Sequence, residues 1–133
     1  MGKITQEQIK TINSKCMNDW RLDVQYYIFH NEKTLIKQIK LDYEHYLEFT
    51  LRYNCNKKIS LHISKFYHKK NENYASTSGL GKSKILDETP AKTRNVNKLI
   101  ELTKILNDEE LLKINENTQV IKSSGLFIAS EEF

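Results

Sequence analysis

The chain has 133 residues, of which 38% are hydrophobic and 29% are charged, and its formal net charge is +4. This composition predicts a single folded domain over residues 1–133 and excludes a largely disordered chain. No apolar run approaches the ~20 residues of a membrane-spanning helix and no signal peptide is recognisable, so we expect a cytoplasmic protein that does not bind membranes. Cys16 and Cys55 lack the spacing of a metal motif and are predicted to be reduced thiols, one on a helix and one in a turn.

Positive charge is concentrated in the middle of the sequence. Residues 1–56, 57–104 and 105–133 carry formal charges of +1, +7 and −4. This asymmetry favours an anionic partner for the middle segment, either nucleic acid or an acidic protein surface. An ordinary solvated surface is the alternative. Many Asn and Ile residues also indicate an AT-rich coding sequence, which would add lysines without a functional reason.

The N-terminal part predicts a helix followed by a strand. Thr5 and Gln8 form a capping box, and the apolar spacing after them predicts a helix over residues 6–17. From Trp20 onward the apolar period changes to two. The alternation predicts a strand over residues 20–28.

The central part predicts a long antiparallel hairpin. Odd-numbered positions stay mainly apolar over residues 35–53, which is too long for one straight strand at ~3.3 Å per residue, so we predict a break near residues 42–44. A turn at 54–58 then places Tyr53 opposite Ile59. The resulting apolar face contains Leu47, Phe49, Leu51, Leu61 and Ile63. The polar face pairs Arg52 with Ser60, Thr50 with His62, Glu48 with Ser64, Tyr46 with Phe66, and Glu44 with His68. This separation of faces supports the register, because a slip of one residue would invert every side chain.

The C-terminal half predicts a loop and two helices. Residues 69–90 have no periodicity and are predicted to form a long basic loop. Helices are expected over 95–106 and from Asp108 to about residue 114, followed by a hairpin or edge strand within 118–129 and a short acidic tail at 130–133. The predicted fold class is therefore α+β. It comprises an antiparallel sheet of about four to five strands, built from a meander and hairpins, with an N-terminal helix and one or two C-terminal helices.

The segment from Gly79 to Ser83 matches only the end of a phosphate-binding P-loop. Ser76 stands where the motif needs its first Gly, and no apolar helix follows the Lys-Ser pair. We therefore do not predict an NTPase. A nest of backbone N–H groups for a phosphate oxygen and an ordinary surface loop both remain open for this segment.

The histidines do not form a catalytic or metal-binding pattern. His62 and His68 lie six residues apart on one predicted strand, about 20 Å at ~3.3 Å per residue. General acid–base chemistry needs two groups within reach of one reacting atom. A surface ion pair is the preferred interpretation of Glu44 opposite His68. We predict no catalytic residue, no metal site and no cofactor.

Aromatic residues are concentrated in the predicted sheet. Of the 13, 11 lie between Trp20 and Tyr74. Tyr46 and Phe66 share the polar face, which either is covered by helices as a second part of the core or is exposed as a stacking platform for single-stranded nucleic acid. The candidate partner surface comprises Tyr46, Arg52, His62, Phe66, His68, Lys69, Lys70, Tyr74, Lys82 and Lys84.

These observations predict a small non-enzymatic binding protein that acts on nucleic acid or on a nucleic-acid-processing protein. The size and composition are typical of a phage or mobile-element inhibitor or regulator of a host protein. One alternative is direct binding of single strands by the sheet face, and another is a small enzyme whose site the sequence does not reveal. An uncovered edge strand would also allow a homodimer.

Overall fold

The computed structural model describes residues 3–68, 74–76 and 81–118. The helices described are α1 Gln6–Lys15, α2 Val24–His30, α3 Val96–Thr103 and α4 Asp108–Asn117. The strands described are β1 Arg21–Leu22, β2 Leu35–Lys40, β3 His45–Tyr53, β4 Ile59–His68, β5 Tyr74–Ser76 and β6 Lys82–Asp87. The fold is α+β with an antiparallel sheet, an N-terminal helix and C-terminal helices, as the sequence predicts.

Within the described residues, six strands form one sheet that is five strands wide. Its order is β1-β2-β3-β4-β5, and every neighbouring pair is antiparallel. β6 also pairs with β4, through residues 59–63, whereas β5 pairs with residues 66–68. Because β3 occupies the other side of β4, β5 and β6 follow one another along the same edge of β4.

The predicted register of the central hairpin is confirmed from Tyr53–Ile59 to Tyr46–Phe66, whereas the predicted pair of Glu44 with His68 is wrong because Glu44 lies in the turn before β3. Tyr53 pairs with Ile59 and Tyr46 pairs with Phe66. The side chain of Asn54 holds the connecting turn by accepting hydrogen bonds from the backbone N–H groups of Asn56, at 2.8 Å, and Lys58, at 3.0 Å. An Asx side chain that bonds its own turn in this way fixes where the two strands begin and end.

The core lies between the apolar face of the sheet and three helices. Phe49, Leu51 and Leu61 are fully buried on that face. The helices contribute Ile12 from α1, Leu99 and Ile100 from α3, and Leu111 from α4. Helices α1, α3 and α4 therefore all pack on one side of the sheet, where burial of apolar area is the main stabilising contribution.

The predicted strand over 20–28 is wrong beyond its first residues. Only Arg21 and Leu22 pair as a strand, and α2 follows after its N-cap residue Asp23. The carboxylate of Asp23 accepts a hydrogen bond from the N–H of Tyr26 at 3.1 Å and so caps that helix. Val24 and Ile28 are four residues apart. This spacing fits the period of two of a strand and also the i, i+4 spacing of one face of a helix. The cap decides in favour of the helix.

The predicted loop over 69–90 is also corrected, because it contains β5 and β6. The outer edge of the ten-residue strand β4 offers backbone groups that these segments satisfy. Smaller differences concern the helix ends, since α1 ends at Lys15, α3 ends at Thr103, and Asn107 rather than Asp108 caps α4. The predicted hairpin within 118–129 falls almost wholly outside the described residues, and the acidic tail at 130–133 lies outside them.

Within the described ranges, no helix has the length and apolar character needed to cross a membrane.

Candidate functional site

The polar face of the sheet lies opposite helices α1, α3 and α4. We define it by the side chains that alternate with the core positions of β3 and β4. They are Tyr46, Glu48, Thr50, Arg52, Ser60, His62, Ser64 and Phe66. The helix that reaches this face is α2, which contacts it at Arg52. Most of these side chains are partly exposed, so the polar face is not a second core under the other three helices.

Arg52 carries the main positive charge of the polar face. Its guanidinium donates a hydrogen bond to the hydroxyl oxygen of Tyr26 at 2.9 Å and lies 5.5 Å from the centroid of the Tyr26 ring. The side chain is partly buried. No carboxylate within the described ranges lies close enough to form an ion pair with it. A partly desolvated guanidinium that is bonded to a neutral phenol remains available for an anion.

His62 lies beside Arg52 and is held in its neutral form. Its Nε2 atom is 3.1 Å from the hydroxyl oxygen of Ser60. Burial, assisted by the positive charge of Arg52, lowers the pKa of His62 from 6.5 to about 4. At neutral pH the ring therefore adds no charge to the face.

Ser60 and His62 are as close as a catalytic nucleophile and its base, but the Ser60 hydroxyl is not accessible to a substrate. Ser60 is only 1% exposed, so its hydroxyl does not face a substrate. The same hydroxyl lies 3.5 Å from the carbonyl oxygen of Arg52, which it can reach as a donor. The contact between Ser60 and His62 therefore satisfies the hydrogen-bonding needs of one buried and one partly buried polar group.

Tyr46 and Phe66 form the predicted aromatic pair. Their ring centroids are 5.5 Å apart and their planes differ by 19°, which is a stacked arrangement. Tyr46 is 7% exposed and Phe66 is partly exposed. Tyr46 is therefore buried, and Phe66 is the more exposed ring of the pair.

Tyr43 is an aromatic residue at the same end of the sheet that the sequence interpretation missed. It is 88% exposed, and the ammonium of Lys40 lies 5.9 Å from the centroid of its ring. Lys40 pairs with Tyr46 in the sheet, which places this turn next to the stacked pair. The sequence signal was available, because Tyr43 lies at the predicted break in a run of alternating residues. Such a break is where a side chain projects beyond the sheet.

The turn that carries Tyr43 is held by Asp42. Its carboxylate accepts hydrogen bonds from the backbone N–H groups of Glu44 and His45, each at 2.8 Å, and lies 3.0 Å from Nδ1 of His45. These backbone bonds, with the contribution of His45, lower the pKa of Asp42. The turn therefore stays structured with Asp42 ionised, and Tyr43 is presented from a fixed backbone.

Two acidic groups reduce the positive charge of this region. Glu44 is exposed in the turn beside Tyr43. Glu48 is partly buried on the polar face, and its pKa is raised by burial and by the charge of Asp23. An anionic partner must therefore approach past these carboxyl groups, which makes them informative positions for substitution.

The structure divides the predicted partner surface. Tyr46, Arg52, His62 and Phe66 lie together on the polar face. His68 ends β4 and pairs with Tyr74 of β5 beyond Phe66. Lys69 and Lys70 lie outside the described residues.

Lys82 and Lys84 are on β6, at positions paired with core residues Ile63 and Leu61 of β4. They therefore lie on the helix side of the sheet and not on the polar face. Lys82 is 9% exposed and donates from its ammonium to the carbonyl oxygen of Asn115 at 2.7 Å. Neither residue extends the polar face.

The cysteines and acidic residues do not suggest a metal centre in the described part of the chain. No three His, Cys, Asp or Glu side chains cluster there as ligands could. Cys16 caps the end of α1, and burial raises the pKa of its thiol to about 11. Cys55 is exposed in the turn between β3 and β4.

No known protein family, curated protein or solved structure matches this chain.

Proposed function

We propose that this protein is a non-enzymatic binding protein whose partner is single-stranded nucleic acid, contacted by the polar face and by the turn that carries Tyr43. The observation that carries the proposal is the guanidinium of Arg52. It is partly buried, hydrogen-bonded to Tyr26, and without a carboxylate partner in the described ranges. A phosphate oxygen would supply the missing negative charge in a charge-assisted hydrogen bond.

The aromatic side chains favour single strands over other anions. Phe66 and Tyr43 offer partly and highly exposed rings at one end of the face. Bases of a single strand stack on such rings at about 1–3 kcal/mol each, with little dependence on sequence. Along β3 and β4, the hydroxyls of Thr50 and Ser64 lie between the rings and Arg52. The proposed strand would thus run along the hairpin, with its bases toward the rings and its phosphates toward Arg52 and Lys40.

A fluorescence-anisotropy titration of the full chain with a labelled oligothymidine tests the proposal. We expect binding at low salt that weakens steeply as salt is added, because each neutralised phosphate releases counterions. Tyr43→Ala should weaken binding about fivefold or more, which corresponds to the loss of one stacked base. The matched control is Phe29→Ala, since Phe29 is also highly exposed, at 72%, but lies on α2. Absence of binding at low salt, or equal effects of the two substitutions, would contradict the proposal.

A second candidate function is binding to a nucleic-acid-processing protein through α2. Ile28 and Phe29 are neighbours on that helix and are 65% and 72% exposed. Adjacent exposed apolar side chains of this size are typical of contact sites for proteins. A small regulator from a phage or other mobile element would use such a site.

Reciprocal substitutions separate the two functions. In a capture experiment from nuclease-treated host lysate, the second function predicts that Phe29→Ser loses a specific captured protein and that Tyr43→Ala retains it. Retention of the same protein by Phe29→Ser would exclude α2 as the contact.

A further inference from the structure

A groove of about 570 Å³ opens on the helix side of the sheet, between β6 and the two helices α3 and α4. Its apolar lining includes Leu86 from β6, Leu102 from α3 and Ile114 from α4. These three side chains are partly buried and pack against the main core. Ile105 also lines the groove and is 63% exposed. The groove is therefore an outward extension of the core, and an apolar occupant would cover Ile105.

Charged groups also line this groove. Lys84 and Lys113 contribute ammonium groups, and both residues are exposed. Neither forms an ion pair or a hydrogen bond with the described residues, whereas Lys82 donates hydrogen bonds to Asn115. Glu110 contributes one carboxylate from the first turn of α4. The lining thus combines an apolar floor with two positive charges and one negative charge.

We propose that this groove binds a small amphipathic anion, with an apolar chain and a single carboxylate of the fatty-acid type. The volume lies within the roughly 300–1,000 Å³ of small-molecule sites. The chain would lie against Leu102, Ile105 and Ile114, where its burial provides the main favourable contribution. The carboxylate would lie between Lys84 and Lys113.

Glu110 is the feature that favours one negative charge over several. A polyanion such as nucleic acid would place further phosphates near this carboxylate, where like charges repel. This site is thus distinct in ligand chemistry from the polar face. The two proposals stand on different residues and can fail separately.

A two-dimensional NMR titration of the isotope-labelled full chain with sodium decanoate, below its micelle concentration, tests the assignment. We expect saturable shifts at the amide groups of Lys84, Leu102, Ile105 and Ile114. Decyltrimethylammonium has the same chain with the opposite charge and should produce no saturable shifts there. No saturable decanoate shifts in the groove, or equal binding of the two amphiphiles, would overturn the proposal. Saturation only at Ile28 and Phe29 would overturn it too, because the ligand would then bind α2.

Substitutions give a second, independent test. The double variant Lys84→Gln and Lys113→Gln should weaken decanoate binding about tenfold, whereas Lys10→Gln, at an exposed position on α1, should leave it unchanged. Ile105→Ser should weaken decanoate binding as well, because the substitution removes apolar surface from the groove without placing a polar group in the core. Unchanged decanoate affinity in both groove variants would contradict the proposal. Oligothymidine binding should be the same for Ile105→Ser and the parent chain, which distinguishes a failure here from a failure on the polar face.

Discussion

The guanidinium of Arg52 on β3 is hydrogen-bonded to the hydroxyl of Tyr26 on α2 at 2.9 Å, across 26 residues of sequence. The same contact places the cation against the Tyr26 ring, at 5.5 Å from its centroid. Together these contacts position Arg52 over the polar face with its charge uncompensated by a carboxylate in the described ranges. This relationship is the basis of the proposed function.

Replacing Arg52 should weaken nucleic-acid binding without unfolding the protein. We expect Arg52→Gln to lower oligothymidine affinity about fivefold and to reduce the slope of log affinity against log salt by roughly 0.7, the value for one phosphate contact on a single strand. Anisotropy titrations at several salt concentrations measure both quantities. The control is Arg94→Gln, which removes an equal charge that is already paired with Glu32 at 2.8 Å. An unchanged salt slope for Arg52→Gln would exclude this residue as a phosphate contact.

Removing the acidic group beside Tyr43 should have the opposite effect. Glu44 is exposed in the turn and its side chain forms no hydrogen bond or ion pair with the described residues. Glu44→Gln should therefore strengthen oligothymidine binding about two- to fivefold at low salt, with the gain lost at high salt where charges are screened. Glu116→Gln, at an exposed position on α4, is the matched control. A gain of equal size in both variants would point to a general charge effect and not to a bound strand near Tyr43.

His62 should make stability depend on pH between about 6.5 and about 4. Its pKa in the folded protein is about 4, below the ordinary value of 6.5, because burial and Arg52 disfavour the charged ring. The unfolded chain therefore binds a proton in this range while the folded chain does not. The free energy of unfolding should not depend on the ionisation of His62 above pH 6.5. It should fall by roughly 1–3 kcal/mol as the pH drops from 6.5 to 4, because the unfolded chain takes up the proton first.

Urea unfolding of the parent chain and of His62→Gln across this pH range measures the effect. The difference in pH dependence between the two proteins should equal the contribution of His62. Bound oligothymidine should also raise the pKa of His62 in an NMR titration, because a phosphate beside Arg52 offsets the positive charge. Identical pH profiles for the two proteins would show that His62 titrates normally.

Lys82 and Lys84 provide a matched pair for stability. The ammonium of Lys82 donates to the carbonyl oxygen of Asn115 at 2.7 Å and to its side-chain oxygen at 3.1 Å, near the end of α4. Lys82→Gln should lower the free energy of unfolding by about 1–3 kcal/mol, because the shorter, neutral side chain does not reach these acceptors. Lys84→Gln should change it by less than ~0.5 kcal/mol, since Lys84 is exposed. Equal losses in denaturant titrations would contradict the assignment of Lys82 as a helix-end contact.

The central hairpin could be predicted from the sequence because its alternation is regular on both sides of one marked turn. Apolar residues occupy every core position of β3, and one shift of register would have buried Glu48 and Arg52. The elements that were missed lack such a pattern. Residues 24–28 fit a helix and a strand equally well, so the outcome depends on the cap at Asp23. β6 places Lys82 at a helix-facing position, and a lysine there does not resemble a core residue until Asn115 is known to accept its hydrogen bonds.

The candidate site shows the same distinction. Tyr46 and Phe66 could be placed opposite each other from the register alone, because cross-strand pairing is local. The different exposures of the two rings could not be predicted, because exposure depends on which other residues pack near each ring. The contact between Arg52 and Tyr26 could not be predicted either, because the alternation over residues 20–28 predicts a strand and so places Tyr26 in the sheet.

Photochemical cross-linking of the full chain to an oligonucleotide of bromouracil, with the adducts located by mass spectrometry, tests the central claim most directly. The proposal predicts adducts on the peptides that contain Tyr43 and Phe66, and a marked loss of both in the Arg52→Gln variant. Adducts confined to α2, or no adducts under low-salt conditions, would contradict the assignment of the polar face as a nucleic-acid-binding surface.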